Sequence, residues 1–214
     1  MKLALIICLT GGLLLAWTLN ASAEILLGGS LEVGRNDFTA AYDSGLVGGV
    51  SKSADTLGFN GAFNLLGTHI GLEYTRSAMD DYSFATAGLR VGWELGPELL
   101  KVKPFAGYEE CYFKNETLAA GGDNTYASPV AGLELAARLG KWTLSGAGCL
   151  PLQTRYSNGI IHDDHADLRY LKFGLTYSPL PLLDLFLRYR SLSADSKVVD
   201  ITAKGYTFGA EISF

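Results

Sequence analysis

The chain has few of the residues that cross-link or interrupt a fold: 3 cysteines and 6 prolines in 214 residues. Its 17 basic residues form no run longer than two and its net charge is −5, so the basic surface of a nucleic-acid-binding protein is missing. Beyond residue 23 no apolar run approaches the ~18 residues of a membrane-spanning helix. Nucleic-acid binding, a disulfide scaffold and a helical membrane domain are therefore excluded. Glycine, by contrast, is abundant, with 26 residues.

The first 23 residues have the composition of a secretory signal peptide. Lys2 supplies a positive start, residues 3–15 are almost uninterruptedly apolar, and Ala21, Ser22 and Ala23 form a small-residue cleavage motif. An uncleaved membrane anchor is the alternative, but the small-residue end and the lack of a basic flank favour cleavage. We therefore predict a signal peptide over 1–23 and one mature domain over 24–214.

The remainder alternates between apolar and polar residues with period two, the pattern of strands with one apolar face. In the last nine residues the even positions are Tyr206, Phe208, Ala210, Ile212 and Phe214, and the odd positions are small or polar. Strands are predicted at 25–35, 57–65, 68–76, 82–95, 101–114, 125–139, 142–156, 168–178, 182–192 and in the C-terminal segment. This gives ten strands, with eight as the alternative if two segments are loops.

The predicted connections alternate in length. Long polar connections are predicted at 36–56, 77–81, 115–124, 157–167 and 193–201, and short turns separate the other strand pairs. Tight turns on one side and longer loops on the other are typical of outer-membrane barrels. The predicted fold is an all-β, up-and-down antiparallel transmembrane barrel.

Aromatic residues distinguish this barrel from a soluble, lipocalin-like one. On the apolar face they are predicted at two heights, with Trp93, Trp142, Tyr177 and Phe214 at the turn ends and Tyr74, Tyr112, Tyr156, Tyr189 and Tyr206 at the loop ends. The rise between Tyr206 and Phe214 is about 20 Å, close to the ~25 Å apolar band between aromatic girdles. The apolar face is therefore predicted to contact lipid.

With these features the chain resembles the small bacterial outer-membrane β-barrel proteins. The residues Tyr206, Phe208, Ile212 and Phe214 look like the C-terminal assembly signal of that family. The resemblance implies outer-membrane lipid as surroundings and transient contacts with the Sec translocon, periplasmic chaperones and the barrel-assembly machinery. We expect a monomer with no cofactor and no bound metal; the partner of the loops stays open.

The lumen is predicted to be plugged and balanced in charge. The inward positions carry seven acidic and seven basic residues: Glu32, Glu73, Glu94, Glu109, Glu134, Asp184 and Glu211 against Arg90, Lys103, Arg138, Arg155, Lys172, Arg188 and Arg190. Such a balance favours cross-lumen ion pairs, and open channels appear near ~16 strands. A narrow pore for small solutes is the alternative.

Potential ligands cluster in the predicted fourth outside loop, at His162, Asp163, Asp164 and His165. They could hold a divalent cation or form a solvated polar loop. Omptins, ten-stranded outer-membrane proteases, use an Asp-x-Asp pair and an Asp-x-His pair. Asp163 and His165 match the second motif, whereas the adjacent Asp80 and Asp81 do not match the first, because neighbouring residues of an extended chain point apart.

From these features we predict a barrel without enzymatic activity that acts through its outside loops in envelope structure or surface contacts. An omptin-like protease, with Asp163 orienting His165 as general base, is a further alternative. Cys111 and Cys149 are predicted to be inward-facing free thiols.

Overall fold

The structure, a computed structural model, describes residues 26–42, 49–65, 68–79, 81–116 and 122–213. The predicted signal peptide, Asp80 and Phe214 lie outside these ranges. The strands are β1 (Leu26–Tyr42), β2 (Val50–Leu65), β3 (Thr68–Met79), β4 (Tyr82–Trp93), β5 (Leu100–Asn115), β6 (Asp123–Leu139), β7 (Trp142–Pro151), β8 (Thr154–Ser157), β9 (His162–Leu180), β10 (Leu183–Asp195) and β11 (Val199–Ser213). Among the described residues no helix is long and apolar enough to cross a membrane.

The strands form one closed antiparallel barrel. Strands β1 to β7 pair in sequence order, as do β9 to β11, and β1 also pairs with β11. β7 and β8 do not pair with each other; both lie between β6 and β9 and occupy one position in the wall. The wall therefore has ten positions. The end that carries the turns β2–β3, β4–β5, β6–β7 and β9–β10 is called the turn end, and the opposite end the loop end.

The strands extend further toward the loop end than the sequence pattern predicts. β1 continues to Tyr42 and β2 begins at Val50, so much of the predicted 36–56 loop is strand. β9 begins at His162, so the prediction of a loop over 157–167 is wrong at its second half. The physical reason is that the outward side chains of these strand segments are polar and lie in water. The segments therefore lack the outward apolar residues by which the other strands were predicted.

A one-residue bulge between β7 and β8 reverses which side chains face inward. Val130 pairs with Pro151, but Ala127 pairs with Arg155, so one extra residue lies between these two pairs. Because side chains alternate between faces, a one-residue shift moves every later side chain to the other face. The predictions of an inward Arg155 and an outward Tyr156 are therefore both wrong: Arg155 is exposed, and Tyr156 is 1% exposed inside the barrel.

The outer face of the wall changes from apolar to polar partway along the strands. In β1 the outward residues Leu31 and Val33 are followed by Arg35 and Asp37. Around the barrel, the outward apolar side chains at the turn-end part of the wall include Phe59, Ile70, Leu89, Leu133, Leu144, Phe173, Leu187 and Phe208, all more than a third exposed. We call this part the apolar band and the part between it and the loop end the upper wall. Trp93 and Tyr206 lie outward at opposite ends of the apolar band.

The inner face changes in the opposite direction. In β1 the inward residues Ser30 and Glu32 lie within the apolar band, whereas Phe38 and Ala40 lie within the upper wall. Below the change the barrel is apolar outside and polar inside, as a membrane barrel is; above it the barrel is polar outside and apolar inside, as a soluble barrel is. The inner face is therefore ionic at the height of the apolar band and largely apolar in the upper wall.

Candidate functional site: the lumen

A buried network of ion pairs fills the middle of the lumen, and Glu73 on β3 is at its centre. Its Oε1 lies 2.7 Å from Arg190 Nη2 and accepts a hydrogen bond from the Tyr170 hydroxyl at 3.2 Å. Its Oε2 lies 3.1 Å from Lys172 Nζ and 3.7 Å from Arg90 Nη1. One carboxylate therefore links side chains from β4, β9 and β10 across the lumen.

Glu32 on β1 is the second centre of the network, and its side chain is fully buried. Arg190 Nη2 lies 2.5 Å from its Oε1, Arg188 Nη1 lies 3.5 Å from its Oε2, and Thr207 donates a hydrogen bond to Oε2 at 3.1 Å. Arg188 also reaches Glu211 Oε2 at 3.3 Å. Such burial is tolerated because each charge has opposite charges within reach.

Glu109 extends the network on the other side. Arg90 donates to Glu109 Oε1 through Nε at 2.6 Å, and its guanidinium lies over the rings of Phe105 and Tyr170. The structure thus brings together eight of the predicted inward charges: Glu32, Glu73, Arg90, Glu109, Lys172, Arg188, Arg190 and Glu211.

A cavity of about 300 Å³, large enough for several water molecules, lies between the network and the turn end. Asp184 and Glu134 line it, and Lys103 connects Glu134, at 3.9 Å, to Glu94, at 3.2 Å. Arg138 is exposed at the rim, where its Nε donates to the Gly140 carbonyl at 3.4 Å. Small inward residues leave this space: Gly28, Ala62, Gly71, Gly92, Ala136 and Ala147.

An aromatic cluster lies inside the barrel within the upper wall, and we call it the plug. The ring of Phe38 lies 4.8 Å from that of Phe113 and 5.4 Å from that of Phe84. The rings of Tyr126 and Tyr156 are 5.0 Å apart. Further buried members are Ala40, Cys111, Leu168, Leu192, Ala194, Val199, Ile201 and Ala203.

The hydroxyl groups in the plug are hydrogen-bonded. Tyr126 donates to the Val199 carbonyl, and Tyr156 donates to Asn124 Oδ1 at 2.7 Å. Burial raises the pKa of Tyr156 to about 12. The plug therefore stays neutral at physiological pH and exposes no unpaired phenol to an ion.

The sequence pattern missed the plug. Its residues fall largely in segments predicted as loops or at the loop ends of strands, where the polarity of the two faces is reversed. The alternation of Phe38 and Ala40 with Asp37 and Thr39 was a usable signal. Cys111 and Cys149 are buried free thiols, as predicted.

The predicted ligand cluster of His162, Asp163, Asp164 and His165 lies at the start of β9, and its side chains do not share one environment. Asp163 points inward, and its Oδ1 and Oδ2 accept the backbone N–H groups of His165 at 3.0 Å and Lys197 at 3.2 Å. These N–H groups, together with the Lys197 charge, lower the pKa of the Asp163 carboxyl. Asp163 therefore connects the start of β9 to the β10–β11 connection.

The other residues of this cluster face solvent. His165 is exposed, and its Nδ1 lies 3.8 Å from Asp163 Oδ1, beyond hydrogen-bond distance. Asp164 is 4.0 Å from the exposed Arg155, and His162 and Asp81 are also exposed. Within the described ranges no group of three or more His, Cys, Asp or Glu residues is placed to hold a metal ion.

Of the predicted assembly-signal residues, Tyr206, Phe208 and Ile212 lie on the outward face of β11, and each is about half exposed or more. Their role in assembly stays a prediction.

No protein-family model and no curated protein matches the sequence. Among solved structures, the outer membrane protease OmpT from Escherichia coli superimposes with a TM-score of 0.54 at 11% identity, covering 92% of this chain and 100% of that chain. Neisserial surface protein A gives a TM-score of 0.43 at 13% identity, covering 87% and 97%. The outer membrane phospholipase A from E. coli gives 0.40 at 12% identity, covering 86% and 89%.

At such identities the likeness to OmpT shows the fold alone. The chain has the fold of the bacterial outer-membrane β-barrels, and the predicted fold class is confirmed.

Proposed function

We propose that the protein resides in the outer membrane as a barrel with a non-conducting lumen, and that its upper wall serves envelope structure or surface contacts. The observation that carries this proposal is the plug, which lies across the lumen between the network and the loop end. An ion that crossed it would lose its hydration without gaining polar partners, which is costly. The plug therefore separates the turn-end cavity from the external medium.

The network adds a second obstacle to permeation. Its charges are paired with one another and do not form a ring of one sign, the arrangement by which a pore selects ions. The narrow-pore alternative therefore receives no support from the lining of the lumen.

The protease alternative requires a general base that can be oriented. Both carboxylate oxygens of Asp163 accept backbone hydrogen bonds, and the His165 ring is exposed to solvent and not bonded to Asp163. This geometry fits a structural connection better than a catalytic pair, so we propose no hydrolytic activity.

Planar-bilayer recording of the refolded chain tests the proposal. A dye on an Asp37→Cys variant counts the inserted molecules, because Asp37 lies outward on the upper wall. We expect no steady conductance from bilayers that contain many counted molecules. Unitary current steps whose number follows the dye count would contradict the proposal and favour the pore.

A further inference from the structure

The wall is incomplete at one place in its upper part. Pairing between β2 and β3 stops at Thr56 and Ser77, but β2 continues for six residues to Val50 and pairs there with β1 alone. β3 continues only to Met79, where it turns into β4. Among the described residues nothing pairs with the other side of residues 50–55, which we call the free edge.

The free edge lies in water and has a regular strand backbone. Its outward residues Ser51, Ser53 and Asp55 are polar and belong to the upper wall. In an antiparallel pair, alternate residues point both N–H and C=O to the same side. Alternate residues of the free edge therefore present donors and acceptors away from β1, which is a template for a further strand.

A cavity of about 310 Å³ adjoins the free edge. Its inner side includes Ala54, Met79 and Tyr82, and the latter two pack against the plug. The cavity thus offers apolar contacts to side chains that point inward and water to side chains that point outward. A strand with alternating apolar and polar residues matches both surfaces.

Lys52 adds a charge preference. It lies on the inward face opposite Phe38, but its side chain is exposed beside the cavity. In the part of the chain that the structure describes, no carboxylate oxygen lies within 4.0 Å of its Nζ, the distance used for the ion pairs above. Asp55 and Asp81 also line the cavity but form no ion pair with Lys52, so an acidic residue of an added strand could pair with this ammonium group directly.

We propose that the free edge binds an extended peptide segment by β-strand addition, with alternating apolar side chains toward Met79 and Tyr82 and an acidic residue near Lys52. This inference deepens the proposed function, on which it rests, by naming the surface and the chemistry of its partner. A second copy fits less well. Antiparallel pairing of two free edges with matching faces needs a two-fold axis normal to the wall, which would invert one barrel in the membrane.

The test measures amide hydrogen exchange of the refolded full chain in lipid nanodiscs. The probe is a mixture of capped heptapeptides that alternate Thr with Val, Leu or Phe and carry one Asp. We expect exchange to slow at least tenfold at alternate residues of 50–55 and to stay unchanged at residues 36–40 of β1. A matched mixture that is N-methylated at every peptide nitrogen should give no slowing, because it cannot donate backbone hydrogen bonds.

Two charge variants test the role of Lys52. Lys52→Glu should weaken binding of the Asp-containing mixture at least fivefold and favour a mixture with Lys in place of Asp. The control Lys141→Glu, at the exposed β6–β7 turn, should bind as the original chain does.

Absence of slowing at 50–55 with every mixture would overturn the proposal, as would equal slowing by the N-methylated peptides. A dimer that protects 50–55 without peptide would overturn it in favour of a second copy. Bilayer conductance is independent of these readouts, so a conducting lumen would contradict the proposed function without mimicking a failure of peptide binding.

Discussion

Substitution of Glu32 by Gln tests the buried network at its most enclosed position. The change keeps the shape of the side chain and removes one negative charge that faces Arg188 and Arg190. Arg190 retains Glu73 at 2.7 Å and Arg188 retains Glu211 at 3.3 Å. Arg188 and Arg190 would therefore lose one of their negatively charged partners and keep another.

Removal of one partner from a buried ion pair typically costs 3–5 kcal/mol. Because both arginines keep another carboxylate, we expect a loss near the lower limit, about 3 kcal/mol in the free energy of unfolding. The control is Glu134→Gln. Glu134 is a third exposed and lies 3.9 Å from Lys103, so its loss should be about 0–1 kcal/mol, as for an exposed pair.

Urea unfolding in lipid vesicles, followed by tryptophan fluorescence, measures both variants against the original chain. Equal losses for Glu32→Gln and Glu134→Gln would refute the reasoning, because they would mean that burial does not strengthen the coupling at Glu32.

Three further changes test other parts of the structure. A Cβ at Gly58 would lie 2.2 Å from Glu32 Oε1, whereas a Cβ at Gly61 would have its nearest atoms 3.7 Å away on Phe59. Gly58→Ala should therefore lower the urea midpoint of unfolding clearly, and Gly61→Ala should hardly change it. The reverse order would contradict the packing. Asp163→Asn should destabilise the chain at pH 7 by about 1 kcal/mol. Because folding lowers the pKa of Asp163, the stabilisation by its carboxylate is present above the unfolded pKa near 4 and is lost as the pH falls through the folded pKa. The unfolding curves of the original chain and of Asp163→Asn should therefore converge in acid. A difference that stays constant with pH would contradict a stabilising role of the Asp163 carboxylate. Phe113→Ala should cost roughly 3–5 kcal/mol as a buried aromatic, and outward Phe59→Ala much less in the same unfolding assay; equal losses would show that Phe113 is not in a packed cluster.

The barrel was predictable because lipid imposes period-two alternation on every strand that crosses it. β11 shows this clearly, with Tyr206, Phe208 and Ile212 outward. The inward charges of the apolar band followed from the same parity. Where the chain emerges from lipid the rule reverses, and the segments that contain Phe38 and Ile201 were interpreted as loops although both residues are buried.

Other features depend on geometry that the sequence pattern does not contain. The bulge between β7 and β8 moved Arg155 outward and Tyr156 inward. The pairing of Arg188 with Glu32, 156 residues apart in the chain, depends on which strands close the barrel and in which register. The free edge of β2 arises because β2 extends to Val50, whereas β3 ends at Met79 and pairs with β2 only as far as Thr56. Alternation does not reveal this difference in strand length.

The reversal of polarity between the apolar band and the upper wall is the central claim, and spin-label accessibility measures it directly. Nitroxides at Leu31→Cys, Val33→Cys and Asp37→Cys report three outward positions on β1; Cys111 and Cys149 are buried. In lipid bilayers we expect the labels at 31 and 33 to be relaxed mainly by oxygen, which concentrates in lipid, and the label at 37 mainly by a water-soluble nickel complex. Relaxation by nickel to the same extent at all three positions would contradict the claim that the apolar band faces lipid.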